Sequence, residues 1–138
     1  RIYNLEDNII KLESKKRVGQ FISKTSQMIT KKEYNFILNN ESFKSEGLLN
    51  RFLLDKQTQI LKPKVIVDYV REAYVSDINN IRITFDKELK TGLYKTDIFD
   101  KELPMIDVIE EPKMILEIKF DNFLPDFIKN LLQIDTNQ

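Results

Sequence analysis

The 138 residues suit one domain of ordinary size, and 41% hydrophobic against 32% charged content allows a packed core and argues against disorder. Lys+Arg and Asp+Glu are both 22, so the formal net charge is zero and there is no general polybasic attraction to nucleic acid or anionic membrane. Cysteine and histidine are both absent, which excludes disulfides, thiol nucleophiles, the usual Ser-His base and any thiolate or imidazole metal site; a metal must be held by oxygens, as Mg²⁺, Mn²⁺ or Ca²⁺ are.

Only 3 glycines occur, and neither GxGxxG nor GxxxxGKS/T is present. No apolar run approaches the ~20 residues of a membrane span, and no signal peptide is legible. A cysteine-free chain fits a reducing, cytoplasmic setting. The chain begins with Arg1 rather than Met, inside a predicted strand, and reads as a piece of a longer protein.

Residues 1–17 predict two strands around a turn: RIY is the stub of the first, Leu5-Glu6-Asp7-Asn8 the turn. In IIKLESKKR, Ile10 and Leu12 fall on one side and Lys11, Glu13, Lys15 and Arg17 on the other. After Gly19, QFISKTSQMI places Lys24 and Ser26 on the face with Ile22 and Met28, and the two runs should pair antiparallel. Thr30 and Glu33 have the spacing of a capping box, opening a helix with Tyr34, Ile37 and Leu38 as its stripe and Asn39-Asn40 as its end. A second helix is predicted from Ser45 to Gln59, with Leu48, Leu49, Phe52 and Leu53 on its apolar face.

Two β-patterned runs follow, VIVDYVREAYV at 65–75 and NIRITFDKEL at 80–89, joined by four residues and so expected as a hairpin. Arg71 shares a face with Val67, Tyr69 and Ala73; Arg82, Thr84 and Asp86 oppose Ile81, Ile83 and Phe85. Arginines on neighbouring strands fit either a multidentate oxyanion site or a pair of solvated surface charges. Thr91-Gly92 reads as a turn, and the aspartates at 97, 100 and 107 lack the spacing of an EF-hand. Pro112 opens a last strand, KMILEIKF, with Lys113, Ile115, Glu117 and Lys119 on one face. Pro125 fits the first turn of a final helix with Phe127, Ile128, Leu131 and Leu132 as its packing stripe.

The fold class is therefore α+β, with antiparallel strands that are apolar on one face and bear Lys, Arg and Glu on the other. Two architectures fit. One is an open sheet with a wet face; the other is an antiparallel barrel with a polar lumen and helices outside. A basic lumen would be relieved by a polyanion, with carboxylates holding a divalent ion against it.

LESKK at 12–16, DYVREAY at 68–74, NIRITFD at 80–86, ILEIKF at 115–120 and LPDFIKNLL at 124–132 form an ordered set. Together they resemble the VTC domain, the polyphosphate polymerase domain of vacuolar transporter chaperone complexes, within the triphosphate tunnel (CYTH-like) metalloenzymes. The resemblance covers nearly the whole chain, as a single VTC-like domain over 1–138. It implies a closed antiparallel tunnel and transfer of the γ-phosphate of ATP to polyphosphate, with Mn²⁺ or Mg²⁺. ATP and polyphosphate are then the partners, with no nucleic acid and no membrane segment in this chain. The parent protein would be membrane-associated in complexes of this kind. In this resemblance Arg1 matches the last arginine of an RxRxY strand, Lys15 the lysine of ExK with Glu13 beside it, and Lys24 the basic residue of the next strand. Arg71 matches YxRxAY and Arg82 matches RxTxD; these two are the expected catalytic pair. Glu117 matches the metal-binding glutamate, with Lys119 beside it facing the same lumen. Glu13 is a second metal candidate or a partner for nearby lysines, and Asp86 contacts metal or caps its strand. Lys11 and Arg17 match no family motif, and Tyr69 and Tyr74 read as packing residues. The family domain begins before Arg1 and continues past Gln138, so the barrel is expected to be incomplete here, completed by further segments or chains. A triphosphatase of the same superfamily and a non-catalytic polyanion-binding module are the alternative functions.

Overall fold

A computed structural model describes residues 1–93, 96–110 and 112–132. The chain divides into two compact units, one formed by 1–66 with 92–104 and the other by 67–91 with 105–138.

The first unit begins with a hairpin. Strand β1 (Ile10–Val18) pairs antiparallel with β2 (Phe21–Ile29), in a register running from Ile10↔Ile29 to Val18↔Phe21. The loop is therefore two residues, Gly19-Gln20, and Gly19 takes φ +61°, which a glycine adopts without steric cost. The alternation expected from sequence holds: Glu13↔Ser26, Lys15↔Lys24 and Arg17↔Ile22 share one face, Ile10↔Ile29 and Leu12↔Gln27 the other. Arg1 exchanges backbone hydrogen bonds with Lys11 at 2.7 and 2.9 Å, so the RIY stub does lie against β1. The turn that returns it is Asn4-Leu5, inside a Tyr3↔Glu6 bridge, and not residues 5–8.

Helix α1 (Lys31–Asn39) has the capping box that its sequence spacing implies. The Glu33 amide donates to Thr30 Oγ1, and Glu33 Oε2 accepts from the Thr30 amide at 2.7 Å. Asn40 closes the helix in the left-handed region. Helix α2 (Gly47–Thr58) has no side-chain cap of its own; Gln27 Oε1 on β2 accepts from the Leu49 amide at 3.1 Å instead. Gly47 takes φ +61°, a conformation that favours glycine, and a Cβ there would come within 2.9 Å of that same oxygen and displace it from the Leu49 amide. Both helices bury their stripes on the apolar face of the hairpin, in a core of Ile10, Ile29, Tyr34 and Leu49. Leu49 is 0% exposed, and burial of such a side chain contributes about 2 kcal/mol. The Tyr34 hydroxyl accepts from the Ile98 amide and lies 3.1 Å from Asp97 Oδ1, which fastens segment 96–99 to the core.

In the second unit β4 (Ile81–Leu93) is the central strand. Strand β3 (Val65–Ser76) lies along it, joined by a 3₁₀ turn over Ile78–Asn80, while β5 (Ile106–Asp107) and β6 (Ile115–Lys119) pair antiparallel with its two halves. Asn79 and Asn80 fasten that turn to the chain after β6: Asn79 Nδ2 donates to the Phe123 carbonyl, and Asn80 Nδ2 donates to Asp121. Thr91-Gly92 is not a turn. Thr91 pairs with Ile106, so the ladder carries β4 through to Leu93, and the irregularity falls earlier, at Glu88 with φ +51°. Helix α3 (Asp126–Leu132) begins just after Pro125, whose carbonyl accepts from Ile128 and Lys129. Of its expected stripe, Ile128 is buried while Phe127 and Leu131 are exposed.

Mixed α+β architecture with antiparallel sheets is as expected, but the described residues form no closed barrel. Closure requires every strand to have two neighbours. Among the described strands, β1 and β2 pair only with each other, and the second sheet is open, with β3, β5 and β6 all resting on β4. No helix among the described residues is long and apolar enough to cross a membrane.

Candidate functional site

The β4–β6 register decides which charged residues meet. Arg82 is opposite Lys119, Thr84 opposite Glu117 and Asp86 opposite Ile115. Because alternate residues of a strand share a face, Arg82, Thr84, Asp86, Lys119 and Glu117 all stand on one side of the sheet. Arg71 on β3 joins that side: its Nε and Nη2 donate to the two Asp86 carboxylate oxygens, each at 2.6 Å. This is the fork-to-fork geometry that guanidinium and carboxylate match best. The Asp86 hydrogen bond, followed by smaller charge effects that include Glu117, raises the Arg71 pKa above its ordinary value. The Arg71 guanidinium carbon also lies 4.9 Å from the centroid of the Tyr69 ring, a second contact to the same head group. On the other face of the same two strands, Lys87 Nζ pairs with Glu72 at 2.7 Å, and Tyr74 packs edge-on to Phe85 with ring centroids 6.0 Å apart.

Lys119 and Glu117 pair at 3.2 Å along one strand, and both side chains are largely exposed. Such a pair is worth about 0–1 kcal/mol and exchanges readily for other partners. Arg82 is exposed and enters none of the ion pairs among the described residues.

The other expected ligands lie in the first unit. Lys15 and Lys24 are directly opposed on the hairpin, where like charges are unfavourable unless a counter-charge is near. Glu13 supplies one, accepting from Lys24 Nζ at 2.7 Å, and this bond holds its carboxyl below the usual carboxylate range. Arg1 contributes to the same shift and meets β1 through its backbone pair with Lys11. Glu13 thus has the lysine partner that sequence left as one of its two roles. Lys11 and Arg17 share this face in register, and Arg17 Nε donates to the Gly19 carbonyl. Among the described residues no three acidic side chains gather as a ready-made metal cage.

Two residues of the β4 face matter beyond what sequence indicated. Asp86, left between a metal contact and a strand cap, is the residue that holds Arg71. Thr84 is not among the ligands expected from sequence, although alternation in RITFD puts it on the charged face. Its surroundings come from β6, which lies about thirty residues away in sequence, at a register no local pattern specifies.

The class these features define is an α+β protein that presents converging guanidinium, ammonium and carboxylate groups on strand faces, a surface suited to oxyanions. The VTC domain family matches residues 1–137, and the chain belongs to that family. No curated protein and no solved structure matches the chain. The VTC domain is associated with polyphosphate polymerase activity, so membership points to a polyphosphate-related function.

Proposed function

We propose that this chain handles phosphate in a polyphosphate polymerase, transferring the γ-phosphate of ATP to a growing polyphosphate chain in a metal-dependent reaction. The observation that carries the reading is the β4–β6 register, which sets Arg82, Lys119 and Glu117 on the face where Asp86 fixes Arg71. Phosphoryl transfer asks the protein for little covalent chemistry; it needs oxygens held in place and spreading negative charge opposed. Arg71, braced at two nitrogens, keeps a nitrogen for a phosphate oxygen. Arg82 offers a whole fork. Lys119 is released for phosphate if its weak pairing with Glu117 is exchanged.

A divalent ion, when bound, neutralises charge on the transferred phosphoryl and its bridging oxygens. The donor set fits such an ion: Glu117 supplies one carboxylate, and ions of this kind use one or two protein carboxylates with phosphate oxygens making up the shell. Asp86 is committed to Arg71 and is not needed for it. Lys15, Lys24 and Arg1 join this reading as further phosphate ligands, with Glu13 positioning Lys24. The tunnel implied by the family belongs to the same proposal.

The test is to incubate the full chain with ATP and Mn²⁺ and resolve the products on a gel that separates polyphosphate. A ladder of long chains is expected, and Glu117→Gln should abolish it while leaving metal-free tripolyphosphate binding. Free phosphate without chains would replace the reading with a triphosphatase; no turnover, with tripolyphosphate still bound, would replace it with a binding module.

A further inference from the structure

Buried polar groups in folded proteins almost always find a partner, and the exceptions call for a reason. Among the described residues two buried side-chain atoms have none: Ser45 Oγ and Thr84 Oγ1. Thr84 is 2% exposed and lies on the central strand of the second unit. Along its strand the neighbours on its face are Arg82 and Asp86, and across the ladder it opposes Glu117. An apolar side chain of the same shape would remove the cost of a desolvated, unpaired hydroxyl. The sheet keeps threonine at the centre of its most highly charged face.

We infer that Thr84 is a phosphate-binding residue, its Oγ donating to a phosphate oxygen held between Arg82 and the Glu117–Lys119 pair. The assignment rests on the oxyanion site proposed above and extends it. A hydroxyl suits this place because it adds no charge: Arg82 and Lys119 neutralise the oxyanion, and Thr84 adds a directional donor that selects where an oxygen sits. The groups beside it are the wetted ones, with Glu117 and Lys119 side chains 44% and 64% exposed, so they can part for a ligand that bulk solvent does not reach. Asp86, the neighbour on the same strand, is oriented toward Arg71 by its two-point fork, and Thr84 Oγ1 makes no bond to it.

The inference separates two quantities that usually fall together. Thr84→Val deletes the hydroxyl and keeps the branched shape, so its melting temperature should equal or exceed that of the wild type. Its affinity for tripolyphosphate, measured by calorimetry on the full chain, should drop roughly tenfold or more, as for a lost hydrogen bond to a charged group. Thr84→Ser should keep wild-type affinity. Arg82→Ala runs alongside as the reference for the site, and Thr84→Ala replaces the valine variant should that fail to fold. Unchanged affinity without the hydroxyl, with Arg82→Ala still weakened, overturns the role of Thr84 and leaves the site standing. Unchanged affinity in both removes the site and the inference together. A valine variant that melts lower, with serine unable to restore binding, assigns Thr84 to packing and overturns the inference as well.

Discussion

The two units bury different things. In the hairpin-and-helix unit the buried core is Ile10, Ile29, Tyr34 and Leu49, an apolar cluster whose one hydroxyl, on Tyr34, is partnered. Of its hairpin cations, Lys11, Lys15, Arg17 and Lys24 stand on the opposite face. In the four-stranded unit the buried positions include Ile81 and Ile128 but also Thr84 and Asp86, and Asp86 is 8% exposed while tied to an arginine. An apolar core adds stability with every contact, whereas a buried polar network must be fully satisfied before it stops costing free energy. Each unit holds one buried hydroxyl without a partner among the described residues, Ser45 in the first and Thr84 in the second, but only Thr84, at 2% exposure, stands on a strand face between charged side chains.

Four substitutions test this contrast. Leu49→Ala should have the largest effect, destabilising the protein by about 2–5 kcal/mol in urea unfolding, because it opens a cavity where the residue has no exposure. A loss well under 1 kcal/mol would mean that the first unit does not depend on that cluster. Asp86→Asn comes next. It leaves Arg71 with a neutral partner and should cost about 1–3 kcal/mol, less than for a fully buried pair because the Arg71 side chain is 27% exposed. Tripolyphosphate affinity should fall with it, since Arg71 loses its brace; an unaffected affinity would detach Asp86 from the site.

Tyr34 gives a smaller, pH-dependent effect. Burial foremost pushes its phenol from 10.0 up to about 12, because the folded state disfavours the phenolate. Its contribution is therefore complete below the unfolded value and is lost as pH rises through the folded one, so stability should decline between pH 10.0 and about 12. Tyr34→Phe should remove this limb and cost about 1 kcal/mol at neutral pH for the lost hydrogen bonds. An identical alkaline limb in the phenylalanine variant would assign it to another group. Arg82→Ala should move stability least, within about 0.5 kcal/mol, as befits an exposed side chain with no ion pair among the described residues. A large fall in melting temperature would make Arg82 structural.

Much of the first unit was legible because its signals are local. A capping box lies within four residues, the hairpin alternates on both strands, and Gly19 sits where a two-residue loop needs it. The start of α2 escaped, since its cap comes from Gln27, twenty-two residues earlier in sequence, and so did the exact place of the first turn, which falls at Asn4-Leu5. The second unit was legible strand by strand but not as a sheet. The faces of β4 and β6 follow from alternation, yet their register, and with it the meeting of Arg82, Lys119, Thr84 and Glu117, is a non-local fact. The same limit explains Thr91-Gly92: a glycine reads as a turn until β5 pairs beside it. The aspartate of RITFD could be placed on the charged face from sequence, but its grip on Arg71 needed the neighbouring strand.

The most direct test of the account is a ¹⁵N–¹H NMR titration of the full chain with tripolyphosphate. The account predicts that the largest amide shifts fall at 82–86 and 117–119 and near Arg71, with Lys15 and Lys24 also responding and the amides around Leu49 still. Shifts confined to the helices and their core, with 82–86 and 117–119 unmoved, would contradict it.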